Sequence, residues 1–177
     1  SDILRGMGQT SWGGWPSPVI PIGEWSFPIG FAEGGYSAEI PVISASHVGK
    51  GRMIGFGHEG WVTGNGAPET EFSLQAVEWV CGRDADVGLA YGAGFEGFQN
   101  ELEGEGHTVH LSVSPDNLSG IDCLLDEFWN GHDDQDNHNI VAFLESGGGL
   151  IMGGHAWYWS YSNTDLSNNY PGNKIAP

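Results

Sequence analysis

Basic residues are scarce. The 177-residue chain carries five lysines and arginines against 23 aspartates and glutamates, a formal charge of −18. Phosphate backbones are held by clustered Lys and Arg, so this composition excludes nucleic acid as a partner. It also argues against docking on an anionic membrane surface. There is no uninterrupted apolar run of about 18 residues, so no helix that inserts into a membrane is expected. Cysteine is nearly absent. Cys81 and Cys123 form no CxxC pair and cannot build a disulfide framework. A single bridge and two buried free thiols both remain open, with the thiols favoured. The zinc-peptidase motif HExxH is missing, because His58-Glu59 is followed by Gly60-Trp61-Val62. No cysteine stands on a sharp strand-to-helix elbow, which nucleophilic amide chemistry requires. Both absences point away from an enzyme.

Glycine and tryptophan are plentiful: thirty glycines, nine prolines and eight tryptophans, with 39% apolar residues overall. The length suits one α/β domain. Residues 1–34 read as an irregular lead-in rich in Gly, Pro and Trp, with short edge strands around Ser17–Ile22 and Trp25–Phe31 and its tryptophans covering the core. Residues 35–177 read as the domain proper. Ala38–His47 and Met53–Glu59 form a hairpin around the Gly49-Lys50-Gly51 turn. A helix then starts at Pro68, buries Phe72, Ala76, Val77, Trp79 and Val80, and closes at Gly82. From Asp84 strands and helices alternate. Strands are expected at Val87–Tyr91, His107–Val113, Ile121–Phe128 and Leu150–Met152, with helices at Phe95–Glu105 and from His132 to Glu145 (Val141 and Leu144 inward). Such alternation implies a mostly parallel sheet with helices on both faces, plus an antiparallel hairpin. The polar, turn-rich end is expected to be a point of truncation.

Ligands of open α/β sheets bind beyond the carboxyl ends of the strands. Two predicted strands end in His58-Glu59 and in Gly153-Gly154-His155, followed by Trp157, Tyr158 and Trp159. If those strands are neighbours, His58, Glu59 and His155 converge, as a hydrogen-bonded cluster that orders two loops, the favoured reading, as contacts of a small ligand, or as ligands of a divalent cation such as zinc. Trp157 and Trp159 would share one face of an extended segment, where they either offer stacking surface to a carbohydrate or, the favoured reading, pack buried under the last loop. Asp133, Asp134 and Asp136 supply oxygens that suit calcium, although the glycine and bidentate glutamate of an EF-hand are absent and helix capping accounts for them as well. Gly92–Gly97 reads GxGxxG, with Asp116 placed like a ribose-binding acid. Without a nearby base the glycines are expected to serve close packing instead. No cofactor is assigned beyond the candidate cation.

Three passages carry a resemblance. HVGKGRMIGFGHEGWV (His47–Val62), AVEWVCG (Ala76–Gly82) and FLESGGGLIMGGHAWYWS with NNYPGNKI (Phe143–Ser160, Asn168–Ile175) resemble the N-terminal module of the TRP-channel-associated factor family. The same module precedes the peptidase domain of enhancin-type (gluzincin) metallopeptidases. The likeness spans roughly residues 36–175. It implies a flavodoxin-like fold of the class I glutamine-amidotransferase type, without amidotransferase chemistry. The expected function is a non-catalytic binding or scaffolding module, partnered by other chains or domains of one assembly. The alternative is an accessory domain of a metallopeptidase or other hydrolase acting on glycoprotein. Acidity and tryptophan content suggest an extracellular or cell-surface location.

Overall fold

The computed structural model describes residues 3, 12–33, 39–64 and 69–175. Seven strands form one sheet: β1 Ser26–Glu33, β2 Glu39–Val48, β3 Gly51–Phe56, β4 Asp86–Ala90, β5 Thr108–Val113, β6 Cys123–Glu127 and β7 Gly149–Gly153. Their order is β1-β2-β3-β7-β6-β4-β5. β1 and β2, and β2 and β3, pair antiparallel; the other four pairings are parallel. The hairpin therefore enters the parallel sheet through β3. Pro28 lies in edge strand β1, where a missing donor breaks no ladder on the open side.

Two long helices cover the sheet, α1 (Glu69–Cys81) and α3 (Asp134–Ser146), and both pack on β3 and β7. Neighbouring residues of β3 show that they lie on opposite faces. Arg52 Nη1 donates to the Trp79 carbonyl of α1 at 2.7 Å, whereas Gly51 faces the Leu144 carbonyl of α3. All five apolar residues predicted for the α1 stripe are buried; Pro68 lies outside the described residues, as does Ala38. In α3 the buried positions are Asn137, Ile140 and Leu144, while Val141 is only half-buried. The predicted helix after β4 is a 3-10 turn, Glu96–Phe98, followed by the short α2, Gln99–Gly104; Phe95, Phe98 and Leu102 are nonetheless buried together. Three four-residue helices end the chain: α4 Ala156–Trp159, α5 Leu166–Asn169 and α6 Gly172–Ile175.

Three expectations are corrected. Ser17–Ile22 is not a strand, although Ser17 N donates to the Gly57 carbonyl at 2.7 Å and Val19 N to that of Pro41 at 2.9 Å. Among the lead-in tryptophans Trp12 does cover the core, 5.0 Å from Trp61 and 5.5 Å from Phe72, but Trp15 and Trp25 are exposed. The cysteines are not free: the end of α1 is bridged to the start of β6 by Cys81–Cys123, with Cα atoms 5.2 Å apart. Two residues 42 positions apart cannot be read as neighbours from spacing alone.

Closing a loop of that length restricts the unfolded chain by about 4 kcal/mol on the chain-entropy scale. Replacing both cysteines by serine, or reducing them, should lower the unfolding free energy in urea by about that amount. A change below about 1 kcal/mol would show that restricting the unfolded chain through this bridge does not stabilise the fold.

Candidate functional site

The site follows from strand register. β3 and β7 are parallel neighbours, and Phe56 pairs with Gly153. Two residues beyond each partner stand His58 and His155, so the chain leaves both strands with the imidazoles side by side, ring centroids 3.8 Å apart. Glu59, in the 3-10 turn Glu59–Trp61, brings Oε2 to 2.5 Å from His155 Nδ1 and 3.8 Å from His58 Nδ1. The three residues predicted to converge do so. Glycine makes the approach feasible: a side chain at Gly153 would meet Val62 Cγ2 at 2.5 Å, and one at Gly154 would meet Trp129 Nε1 at 2.5 Å. This is the physical content of the Gly153-Gly154-His155 sequence.

The lead-in forms the roof. Trp61 Nε1 donates to the Gly13 carbonyl at 2.8 Å, and Trp157 Nε1 donates to the Trp15 carbonyl at 2.6 Å. Trp157 N donates to Ser17 Oγ at 3.2 Å. Between these anchors Gly14 lies against His58 Nε2 with φ of +102°, so both the contact and the backbone angle require glycine.

Electrostatically the mouth is crowded with acid. Burial lowers the His58 pKa, Glu59 opposes this and His155 adds to it, which leaves His58 neutral near pH 7. His58 Nδ1 accepts the Gly60 N–H at 3.0 Å. Glu127, at the end of β6, is pushed up to about 7, first by burial and then by the charges of Glu59 and Asp126. It is a site residue that the strand-end rule could have found, since it lies one residue before the end of the predicted strand Ile121–Phe128 and closes the observed one. Asp126, wholly buried, is compensated instead: Oδ2 lies 2.6 Å from His132 Nε2, and Oδ1 accepts from Asn130 Nδ2 at 2.5 Å and from Glu127 N at 2.7 Å. Burial alone would lower His132, but its contacts with Asp126 and Asp136 outweigh this and raise it.

Other candidates are placed differently. The segment holding Trp157 and Trp159 is helix α4, not an extended run, so the two indoles do not share a face. Trp157 is exposed, while Trp159 is half-buried against Tyr170 with centroids 5.6 Å apart. Asp133 caps α3: its Oδ1 accepts from Gln135 N at 2.8 Å and from Asp136 N at 2.9 Å. Asp134 and Asp136 lie in the first turn of that helix. Gly92 and Gly94 adopt positive φ and have no close neighbours, so they shape a turn and do not serve the packing expected of them. Asp116 Oδ1 accepts from Asn139 Nδ2 at 3.4 Å.

Fold and site together define an α/β domain with a roofed His-Glu-His cluster at the carboxyl end of a mostly parallel sheet. The family model TCAF_N, "TRPM8, N-terminal domain", matches residues 2–176. The chain belongs to this family. It is 32% identical over 176 residues to TRPM8 channel-associated factor 2 of Homo sapiens, covering 95% of this chain and 18% of that protein. It is 32% identical over 178 residues to the TRPM8 channel-associated factor homolog of Xenopus laevis, covering 98% of this chain and 18% of that one. The chain thus spans under a fifth of the length of these relatives. Among solved structures it resembles IMPa from Pseudomonas aeruginosa in complex with an O-glycopeptide, with a TM-score of 0.57 at 14% identity, covering 86% of this chain and 18% of that one. That likeness is one of fold. The extracellular or cell-surface location expected from composition is overturned by these matches, because the family is one of channel-associated factors and acidity with tryptophan content is no address. No helix among the described residues is long and apolar enough to cross a membrane.

The raised Glu127 pKa sets a pH test. Folded Glu127 keeps its proton up to about pH 7, whereas the unfolded carboxyl loses it near 4.5. The native state therefore loses stability as pH rises through that window. Glu127→Gln should match the wild type near pH 4 and exceed it at pH 8 in urea unfolding with a chelator present. Parallel curves at both pH values would mean that Glu127 ionises freely in the fold.

Proposed function

We propose that the chain is a non-catalytic, protein-binding module of a larger channel-associated factor. The observation that carries this reading is the aromatic face beside the site. Trp157, Tyr158 and Tyr161 are exposed together, with ring centroids 5.6–6.0 Å apart, and exposed Trp15 is tied to them through its carbonyl. Tyrosine and tryptophan dominate the energetic centres of protein interfaces. An exposed group of them on so acidic a chain is costly unless it meets a partner. Support for a non-catalytic role comes from the cysteines, which are joined to each other and offer no thiolate. The relatives are named for association with the TRPM8 channel, which makes that channel, or the remaining domains of the same factor, the partner to try first.

The flavodoxin-like reading belongs here too. Strands β5-β4-β6-β7 run 2-1-3-4 in the flavodoxin order, and the fifth place is held by β3, which precedes them in the chain. The connection from β5 to β6 carries no helix, a departure from the usual doubly wound pattern.

A second reading, glycan binding, draws on Trp157 and Tyr158, whose exposed rings stand at 89° to each other as two walls of a corner. The solved structure of similar fold is in complex with an O-glycopeptide.

One binding experiment separates them. Purified TRPM8 channel and a free O-glycopeptide are each titrated with the chain and with the Trp157→Ala/Tyr161→Ala double variant. Loss of hot-spot aromatics should cost at least about 2 kcal/mol, roughly a 30-fold rise in Kd for the channel. Channel binding that persists undiminished in a folded variant would remove the aromatic face from the interface. Saturable binding of the glycopeptide alone would favour the glycan.

A further inference from the structure

We infer that His58, Glu59 and His155 bind one divalent transition-metal ion of the zinc type. One ligand atom from each lies within 4.8 Å of the other two. Ligands held at about 2.1 Å around a tetrahedral ion stand about 3.4 Å apart. The separations from Glu59 Oε2, 2.5 Å to His155 Nδ1 and 3.8 Å to His58 Nδ1, bracket that value.

Independent support comes from what these atoms lack. The His155 residue is 8% exposed, yet its Nδ1 makes no hydrogen bond, and neither does the equally inaccessible Glu59 Oε2, despite their closeness. The two stand 2.5 Å apart without making a hydrogen bond to each other. A buried polar atom left unpartnered costs about 1–3 kcal/mol, and a cation placed between them satisfies both. Ligation also requires His58 to turn its Nδ1 lone pair from the Gly60 N–H to the ion. That exchange is local, because Gly60 follows in the same exposed turn.

The ligand types select the metal. Two imidazoles and one carboxylate suit zinc and its neighbours, whereas calcium and magnesium take sets of oxygens. The rings are already oriented: Trp61 stacks on His58 at 5.6 Å and 14°, and Trp129 flanks His155 at 5.8 Å. Three protein ligands leave a fourth position for water or for a side chain from a partner. The acidic cluster at the start of α3 does not compete, since Asp133 is committed to the helix cap.

The test uses the chain stripped with chelator. Zinc is titrated calorimetrically, and cobalt(II) is titrated by visible absorption. One zinc equivalent and the intense visible bands of low-coordinate cobalt are expected. His155→Ala and Glu59→Gln should each weaken zinc by more than about 100-fold, the upper end of what even an outer-shell change costs. His138→Ala, at an exposed histidine of α3, should leave binding unchanged and so report any surface contribution. Folded variants that bind zinc as the wild type does would overturn the site. If both variants fail to fold, the wild-type cobalt spectrum decides: weak octahedral bands, or no saturation at one equivalent, overturn it.

Discussion

The parallel pairing of β3 with β7 is the contact on which the molecule turns. It joins an antiparallel three-stranded unit to a parallel four-stranded one, and it is the only seam between them in the sheet among the described residues. Both long helices rest on this pair from opposite sides. Because the two strands run in the same direction, their carboxyl ends emerge together. Whatever follows Phe56 and Gly153 must share the same small volume, and glycines on β7 keep that volume open. Geometry at the mouth is thus inherited from hydrogen bonds in the sheet and does not depend on loop preference.

Charge is handled unevenly across the mouth. Asp126 gathers a histidine, an amide and a backbone N–H around its buried side chain. Glu127, one residue on, faces the other side of the sheet, has no such partners among the described residues and resists ionisation. The chain has few cations to spend on this. Arg52 serves the seam, donating to the Trp79 carbonyl and lying 5.2 Å over its ring, and Arg83 pairs with Glu78 at the exposed end of α1. The scarcity of Lys and Arg thus shapes the interior as well as the surface: Asp126 is met by a histidine, and burial holds Glu127 above the usual carboxylate range.

Much of this was legible beforehand, and the exceptions have physical reasons. Hairpin, α1 stripe and strand–helix alternation follow from periodicity, which is a local property. His58, Glu59 and His155 were found because residues just past strand ends are where α/β sheets keep ligands. Their meeting was conditional on the adjacency of β3 and β7, which nothing local encodes. The Cys81–Cys123 bridge is nonlocal for the same reason. Trp157–Trp159 shows a different limit: so short a run cannot distinguish alternation from a single helical turn, and the turn separates the two indoles, leaving Trp157 exposed and Trp159 at the edge of the core. The acids of α3 were read correctly as compatible with a cap because dipole and capping preferences act within one turn.

The roof over the cluster has a bearing on timing. Its hydrogen bond from Trp157 to Trp15 spans 142 positions in the chain. A ribosome adding roughly 5–20 residues per second emits Trp15 some 7–28 s before Trp157. Throughout that interval the segment carrying Gly13, Gly14 and Trp15 has no α4 to close upon. The roof over His58, Glu59 and His155 therefore cannot close until α4 has been made.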